Sequence, residues 1–460
     1  MSMPNEQELG AFDAQRLLDL LDNKQYSQFM HTVDDLNPVD VAEFFILLPQ
    51  ERQPSVFRLL KKDTAAEIFA ELDGDVQEHL ISAMTDREVG AVLEELYVDD
   101  AVDMLAEMPS NVVKRLLQTA TPQTRAQLNK FLSYPEGSAG SVMTAEFIEL
   151  RKTMRCADAM ETIRRTGVDK ASVYVAYVTD TSRHLEGIVQ LQDLLFAAPD
   201  ERLEDLMDTN IVSATTHDDQ ETVASIISKY DLLVLPVVDK EGRLVGIVTV
   251  DDAIDVILEE TSEDIEKMAA ILPSDKPYLK TSVFETFKKR IPWLLLLMLS
   301  ATFTGAIITH YEQALGTWTI LTAFMPMLMG TGGNAGSQSS IAVIRALSLG
   351  EMTLSDVWRV LFKEFRVSLI CGVVMGVATF VKVMLIDLRL DFSNITVAVV
   401  VGVSLMLTVV LAKGIGTILP IFAKRIGLDP AVMASPFITT IVDALSLMLY
   451  FEVASFALGM

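Results

Sequence analysis

Apolar positions along this chain change their period twice, and the changes mark out three regions. From about residue 14 to 130 they recur at helical spacing in short runs, each interrupted by Asp, Pro or Gly, which predicts a series of short helices. Three of these read as copies of one helix and its stop: Ala42-Glu43-Phe44-Phe45 with Leu48-Pro49, Ala66-Glu67-Ile68-Phe69 with Leu72-Asp73, and Ala101-Val102-Asp103-Met104-Leu105 with Met108-Pro109. Helices this short bury an apolar stripe only against their neighbours, so the repeat predicts an all-α superhelical domain. Between 137 and 265 the pattern becomes alternating helices and β-branched strands, and it runs through twice. In the first copy Ser141-Val142-Met143 leads to a strand at 173–180, then 184–189 and a helix beginning near Asp193; in the second, Asp205-Leu206-Met207 leads to 232–239, then 243–248 and Asp252. Gly187 and Gly246, like Asp193 and Asp252, stand 59 residues apart, which predicts a duplicated α+β unit. Beyond 290 the apolar runs reach the roughly 20 residues that a hydrocarbon core requires. Candidate spans are 291–309, 317–347, 361–386, 395–423 and 433–457, giving an all-α transmembrane region of five helices.

Charge sharpens this division. Residues 1–280 carry 25 Lys/Arg against 53 Asp/Glu, whereas 281–460 carry 12 against 10, so the net charge of −26 belongs to the first half. Such a surface repels nucleic acid and complements cations. The two cysteines, Cys156 and Cys371, offer neither a disulfide framework nor a CxxC metal site, and the opening MSMPNEQELGAFDAQ is too polar for a cleaved signal peptide. Lys288, Lys289 and Arg290 precede the first span, Arg345, Arg359, Lys363 and Arg366 surround the second turn, and Lys424 and Arg425 precede the fifth, whereas the opposite loops hold little beyond Arg389. The positive-inside rule then places the amino terminus and the soluble domains in the cytosol and the carboxyl terminus outside, in an inner or plasma membrane.

Three segments carry candidate chemistry. Residues 251–272 predict a helix with an apolar stripe of Ile254, Ile257, Leu258, Ile265 and Met268 and with Asp251, Asp252, Asp255, Glu259, Glu260, Glu263 and Asp264 crowded on its other faces. Like charges at this spacing destabilise a helix unless something neutralises them, and Mg²⁺, which favours oxygen ligands and keeps several waters, would do so; a solvated acidic face is the plainer alternative. The first region adds Glu94, Glu95, Asp99, Asp100 and Asp103. Inside the second span, the run at 325–340 is too rich in Gly and polar groups to face lipid: Gly330, Gly332, Gly333 and Gly336 permit close approach, and Asn334, Ser337 and Gln338 supply neutral dipoles. The fifth span places Asp443 near its middle, where a carboxylate costs about 2.5 to 3.5 kcal/mol and is normally kept for ion traffic. A neutralising pair with Lys413 is the alternative. Thr439 and Thr440 add hydroxyls one turn earlier, and Pro436 frees a carbonyl.

The duplicated unit resembles a tandem pair of CBS (cystathionine-β-synthase-type) domains, which implies sensing rather than catalysis. In nucleotide-binding CBS domains a Gly-x-x-Thr/Ser-x-x-Asp run binds phosphate and ribose; Gly246, Thr249 and Asp252 match it, while the first copy has Gln190 in place of the hydroxyl. The resemblance therefore implies at most one adenine-nucleotide (ATP) site per subunit, with helix capping by Thr249 and Asp252 as the alternative. Taken with the run at 326–338, the segment from Asp429-Pro430 to Asp443 and the helical first region, the whole chain in order resembles an MgtE-type magnesium transporter. That resemblance divides the chain into an acidic helical domain (1–132), two CBS domains (133–200 and 201–258), a connecting plug helix (259–284) and a transmembrane domain (285–460). It implies a multidomain homodimer with ten membrane helices and a pore on the two-fold axis, lined by Asp443 and Asn334 with Gly330, Thr439 and Thr440 beside them. The expected function is Mg²⁺ uptake gated by Mg²⁺ at Asp99, Asp100, Asp103, Asp251, Asp252, Asp255, Glu259, Glu260, Glu263 and Asp264. A coupled antiporter using Asp443 is the competing reading. An enzyme is not expected, because the chain has no GxSxG elbow, HExxH pair or Walker loop.

Overall fold

A computed structural model describes residues 6–274, 278–279, 281–311, 318–387, 395–433 and 435–459; Arg389, Thr317 at the start of the second candidate span, and the first five residues lie outside them. The chain forms two compact units, 1–257 and 258–460.

Among the described residues, the first unit opens with ten helices: α1 (Glu6–Asp22), α2 (Tyr26–Asp34), α3 (Pro38–Leu47), α4 (Gln53–Phe57), α5 (Lys62–Ala70), α6 (Gly74–Ala83), α7 (Asp86–Leu93), α8 (Val98–Glu107), α9 (Ser110–Thr119) and α10 (Pro122–Phe131). Their starts follow from local chemistry. Asn37 caps α3 ahead of Pro38 by accepting from Val39 N at 3.0 Å, and Thr85 and Glu88 form a capping box on α7. The three repeat copies are α3, α5 and α8, which pack in that order, with Phe45, Phe57 and Phe69 in edge-on contact at 6.0 and 5.9 Å between ring centres. Each such buried ring contributes about 1.5–3 kcal/mol. A second repeat, unread in the sequence, caps helix ends. Buried Gln53 donates to Phe45 O at 2.9 Å and buried Gln77 to Phe69 O at 2.8 Å, each reaching back eight residues, and Arg125 does the same to Leu117 O.

Next come α11 (Ala139–Val142), β1 (Ile148–Leu150), α12 (Cys156–Thr166), β2 (Val175–Thr179), β3 (Leu185–Gln190) and α13 (Leu191–Phe196), then α14 (Leu203–Leu206), β4 (Ala214–Thr215), α15 (Gln220–Tyr230), β5 (Val234–Val238), β6 (Leu244–Thr249) and α16 (Val250–Met268). Each copy forms a three-stranded sheet whose first strand is parallel to the second and whose third is antiparallel, with matching bulges after Val178 and Val237. The lead-in segments are exchanged between the copies. Thr144 and Ile247 trade backbone bonds of 2.8 and 2.9 Å, and Ile188 and Asp208 trade two of 2.9 Å. This exchange explains the paired glycines: a Cβ on Gly187 would strike Met207, and one on Gly246 would strike Met143 and Thr144 O.

The described part of the second unit holds the last turns of α16 and five long helices: α17 (Val283–His310), α18 (Met325–Ser348), α19 (Val357–Lys382), α20 (Ile395–Arg425) and α21 (Ser435–Leu458). Helical or near-helical runs at 283–310, 354–387, 395–425 and 430–458 are long and apolar enough to cross a membrane. The glycine-rich α18 is long enough but not apolar enough to join them. It packs on α20 and α21, α19 packs on α20, and α17 packs on α21. Small residues set these contacts: Gly376 and Gly402 each leave room only for the other's carbonyl, and a Cβ on Gly416 would collide with Gly336 O.

Candidate functional site

In the second unit α18 turns Gly332, Gly333 and Gly336 inward, whereas Gly330, expected to permit close approach, is exposed with nothing near it. Gly332 lies against Thr408, Val442 and Ser446, Gly333 against Thr439, and Gly336 against Ile438 and Ala412 O. Gly330, Asn334 and Gln338, spaced one turn apart, form an exposed line along the same helix. Asp443 stands on α21 one turn beyond Thr439 and three residues before Ser446, so it belongs to the helix on which the glycine face rests. Its Oδ1 is buried and has no hydrogen-bond partner. Lys413 does not pair with it; that ammonium bonds Ser339 Oγ at 3.3 Å instead. The neutralising pair considered from sequence is therefore not formed, and one carboxylate oxygen of Asp443 is left without a partner. Thr440 donates to Pro436 O at 3.0 Å, and Pro436, the second residue of α21, stands in the first turn, where a missing N–H breaks no helical bond.

The acidic residues fall into separate places rather than one. In the first unit, Asp99 and Asp100 on the first turn of α8 lie near Asp252 on the first turn of α16. Burial, with Asp100 and Asp252 close by, pushes Asp99 well above the usual carboxylate range, and its Oδ1 has no partner. Burial followed by Asp252, Glu71, Glu146 and Asp251 pushes Asp100 up to about 6. Asp252 is raised by burial against the pull of Thr249. Asp251, Asp255 and Asp103 are exposed at the margin of this cluster. Glu94 and Glu95 serve elsewhere, Glu94 accepting from Thr121 N and Thr124 Oγ1 at 3.1 and 2.9 Å and Glu95 pairing with Lys62, so the sequence-based inclusion of this pair is corrected.

In the second unit, Glu259 is exposed and Glu260 partly buried on α16, while Glu263 and Asp264 meet Asp429, which sequence reasoning did not assign. Lys267 Nζ lies 2.7 Å from both Glu263 and Asp429, and Ser348 Oγ donates to Asp264 at 3.3 Å. Burial works against the Lys267 ammonium, but its bonds to Asp429 and Glu263 win and push it up to about 12. Among the described residues no three His, Cys, Asp or Glu side chains converge closely enough to grip a bare ion. The nucleotide-motif residues have structural work: Gly246 admits the exchanged segment, and Thr249 donates to Asp252 Oδ2 at the start of α16 through its hydroxyl and, at 3.3 Å, its backbone N.

Four long apolar helical runs, a glycine-rich helix and a paired CBS fold among the described residues define a multi-pass membrane protein that also carries a CBS pair. Residues 325–453 match the divalent cation transporter family MgtE, 36–137 match the MgtE intracellular N domain, and 139–200 and 203–259 match CBS domains. A magnesium transporter MgtE of Thermus thermophilus is 34% identical over 425 residues, 92% of this chain and 93% of that protein. One of Bacillus subtilis is 33% identical over 441 residues, 96% of each. The chain belongs to the MgtE family of magnesium transporters. Among solved structures, the soluble part of a magnesium transporter is 28% identical with a TM-score of 0.53, covering 55% of this chain and 99% of that one. The cytosolic domain of the Mg²⁺ channel MgtE in complex with ATP is 34% identical with a TM-score of 0.50, covering 53% of this chain and 99% of that one.

Proposed function

We propose that this chain forms a homodimeric, Mg²⁺-selective channel of the bacterial inner membrane, with five spans per subunit, a cytosolic amino terminus and an external carboxyl terminus. The observation that carries this reading is the buried, unpartnered Oδ1 of Asp443 on the helix that supports the glycine face of α18. Two such carboxylates across a two-fold axis repel one another unless a divalent ion lies between them, which favours divalent over monovalent cations. Size discrimination follows from leaving hydration in place. Mg²⁺ dehydrates reluctantly, so the hydrated ion is read through outer-shell bonds to Asp443, Asn334, the backbone near Gly330, Thr439 and Thr440. The membrane potential contributes about 4.6 kcal/mol per divalent ion at 100 mV, so no hydrolysis step is needed.

Gating follows from the charge map within each unit. Mg²⁺ bridging Asp99, Asp100 and Asp252, with Asp103, Asp251 and Asp255 beside them, would hold α8 to the start of α16. Mg²⁺ at Glu263, Asp264 and Asp429, near Glu259 and Glu260, would hold the 259–284 plug segment down. Without Mg²⁺ the carboxylates of Asp99, Asp100 and Asp252 repel one another, only Lys267 is left to hold Glu263 to Asp429, and the path opens. ATP at Gly246, Thr249 and Asp252 is a secondary proposal supported by the ATP-bound relative. Transport assays of Asp443→Ala test the central reading: Mg²⁺ influx is expected to fall by at least about tenfold at unchanged protein level, given the role of intramembrane carboxylates. Full flux in that variant would refute it, and flux that follows a proton or Na⁺ gradient would favour a coupled antiporter.

A further inference from the structure

Lys413 sits in the interior of α20 with 6% of its surface exposed. It precedes the end of that helix at Arg425 by 12 residues, roughly 18 Å at 1.5 Å per residue, which is beyond what a lysine stem can span to reach the interface. Its ammonium must therefore find a partner at depth, where an unpaired charge is strongly disfavoured. Lys413 Nζ donates to Ser339 Oγ at 3.3 Å, and Ser339 Oγ donates its own proton to Glu364 Oε2 at 2.8 Å. A hydroxyl can accept from an ammonium and donate to a carboxylate through one atom. Helices α18, α19 and α20 thus meet at a single oxygen.

The location gives this junction its consequence. Ser339 lies one turn beyond Gly336, and Lys413 lies one turn before Gly416, the pair whose backbones approach so closely that Gly416 has no room for a Cβ. Gly336 in turn rests on Ile438 and on Val442, the residue preceding Asp443.

We propose that Lys413, Ser339 and Glu364 form a hydroxyl-bridged ion pair that fixes the height and rotation of α18 against α21, making Lys413 a positioning residue for ion conduction. This rests on the reading that α18 and Asp443 line the ion path. Opposite charges cancel within the bridge, so removing both is tolerated far better than removing one. Glu364 takes part through Oε2, which accepts the Ser339 hydroxyl proton.

The test uses full-length protein in proteoliposomes, comparing Mg²⁺ uptake by Lys413→Met, Glu364→Gln, Ser339→Ala, Ser339→Thr and the double variant Lys413→Met/Glu364→Gln. Folded protein is quantified by gel filtration and by the midpoint of thermal unfolding. Each of the first three changes is expected to lower the maximal rate about tenfold while leaving the half-saturating Mg²⁺ concentration within about twofold. Ser339→Thr should retain uptake, and the double variant should recover to within about threefold of the unsubstituted protein. Single variants at the full rate, or a double variant no faster than its slower parent, would overturn the proposal. If a single change prevents folding, recovery of folded protein in the double variant supports the bridge, and failure to recover it overturns the bridge. If the unsubstituted protein moves no Mg²⁺, the transport reading fails; the bridge is then judged by unfolding midpoints, which should fall in the singles and return in the double.

Discussion

At the scale of single residues, Asp443 stands out because nothing in its surroundings satisfies its buried oxygen. Ser404, Thr408 and Ser446 also have buried oxygens without partners in the same helices, so this part of the molecule holds polarity that packing alone does not require. A carboxylate kept unpaired at helix centre costs about 2.5 to 3.5 kcal/mol. Replacing Asp443 with Leu should therefore raise the thermal unfolding midpoint while abolishing Mg²⁺ influx, a trade-off expected where a residue serves function against stability. A variant both less stable and inactive would point instead to a structural role. Gly187 and Gly246 show the opposite case. Their shared spacing was legible in the sequence, but its cause, the exchanged segments around Met207 and Met143, required the fold.

At the scale of elements, the first turns of α8 and α16 set buried carboxylates against one another. Asp100, moved from an ordinary 3.8 up to about 6, holds more protons when folded than when unfolded between those values. Stability therefore falls as pH rises through that window and stays low above it. Full-length protein in detergent at fixed K⁺ should show a cytosolic unfolding midpoint that drops between about pH 4 and pH 6 without Mg²⁺. Added Mg²⁺ should restore it more at the upper end of that range than at the lower, and Asp100→Asn should flatten the pH response. A midpoint indifferent to both pH and Mg²⁺ would contradict ion-bridged carboxylates.

Much at this scale could be read from the chain. Strong helical periodicity exposed the repeat helices, and β-branched runs exposed β2, β3, β5 and β6. Strands β1 and β4 escaped because three and two residues are too few to show an alternation. The carboxylates of 251–264 follow one another along a single helix in the sequence. They divide because α16 continues past the first unit, and because Asp429 and Lys267, far apart in sequence, meet only in the folded chain. Lys413 was weighed against the wrong carboxylate for the same reason: neither Ser339 nor Glu364 is near it in sequence.

At the scale of the whole molecule, an excess of 28 negative charges before residue 281 precedes a nearly neutral apolar half. Such an imbalance repels itself when divalent ions are scarce and is relieved when they are plentiful, which is the behaviour required of a feedback gate. Helix α17 packs on α21 yet has no buried side chain among its described residues, so most of its length faces away from the rest of the unit. The central claim is that Mg²⁺ both permeates this molecule and closes it. The most direct test is Mg²⁺ influx into proteoliposomes at a fixed K⁺ diffusion potential, varying only the Mg²⁺ that bathes the cytosolic domains. The account predicts influx that is high in its absence and collapses at millimolar Mg²⁺ but not at matched K⁺. Influx independent of that Mg²⁺ would contradict it.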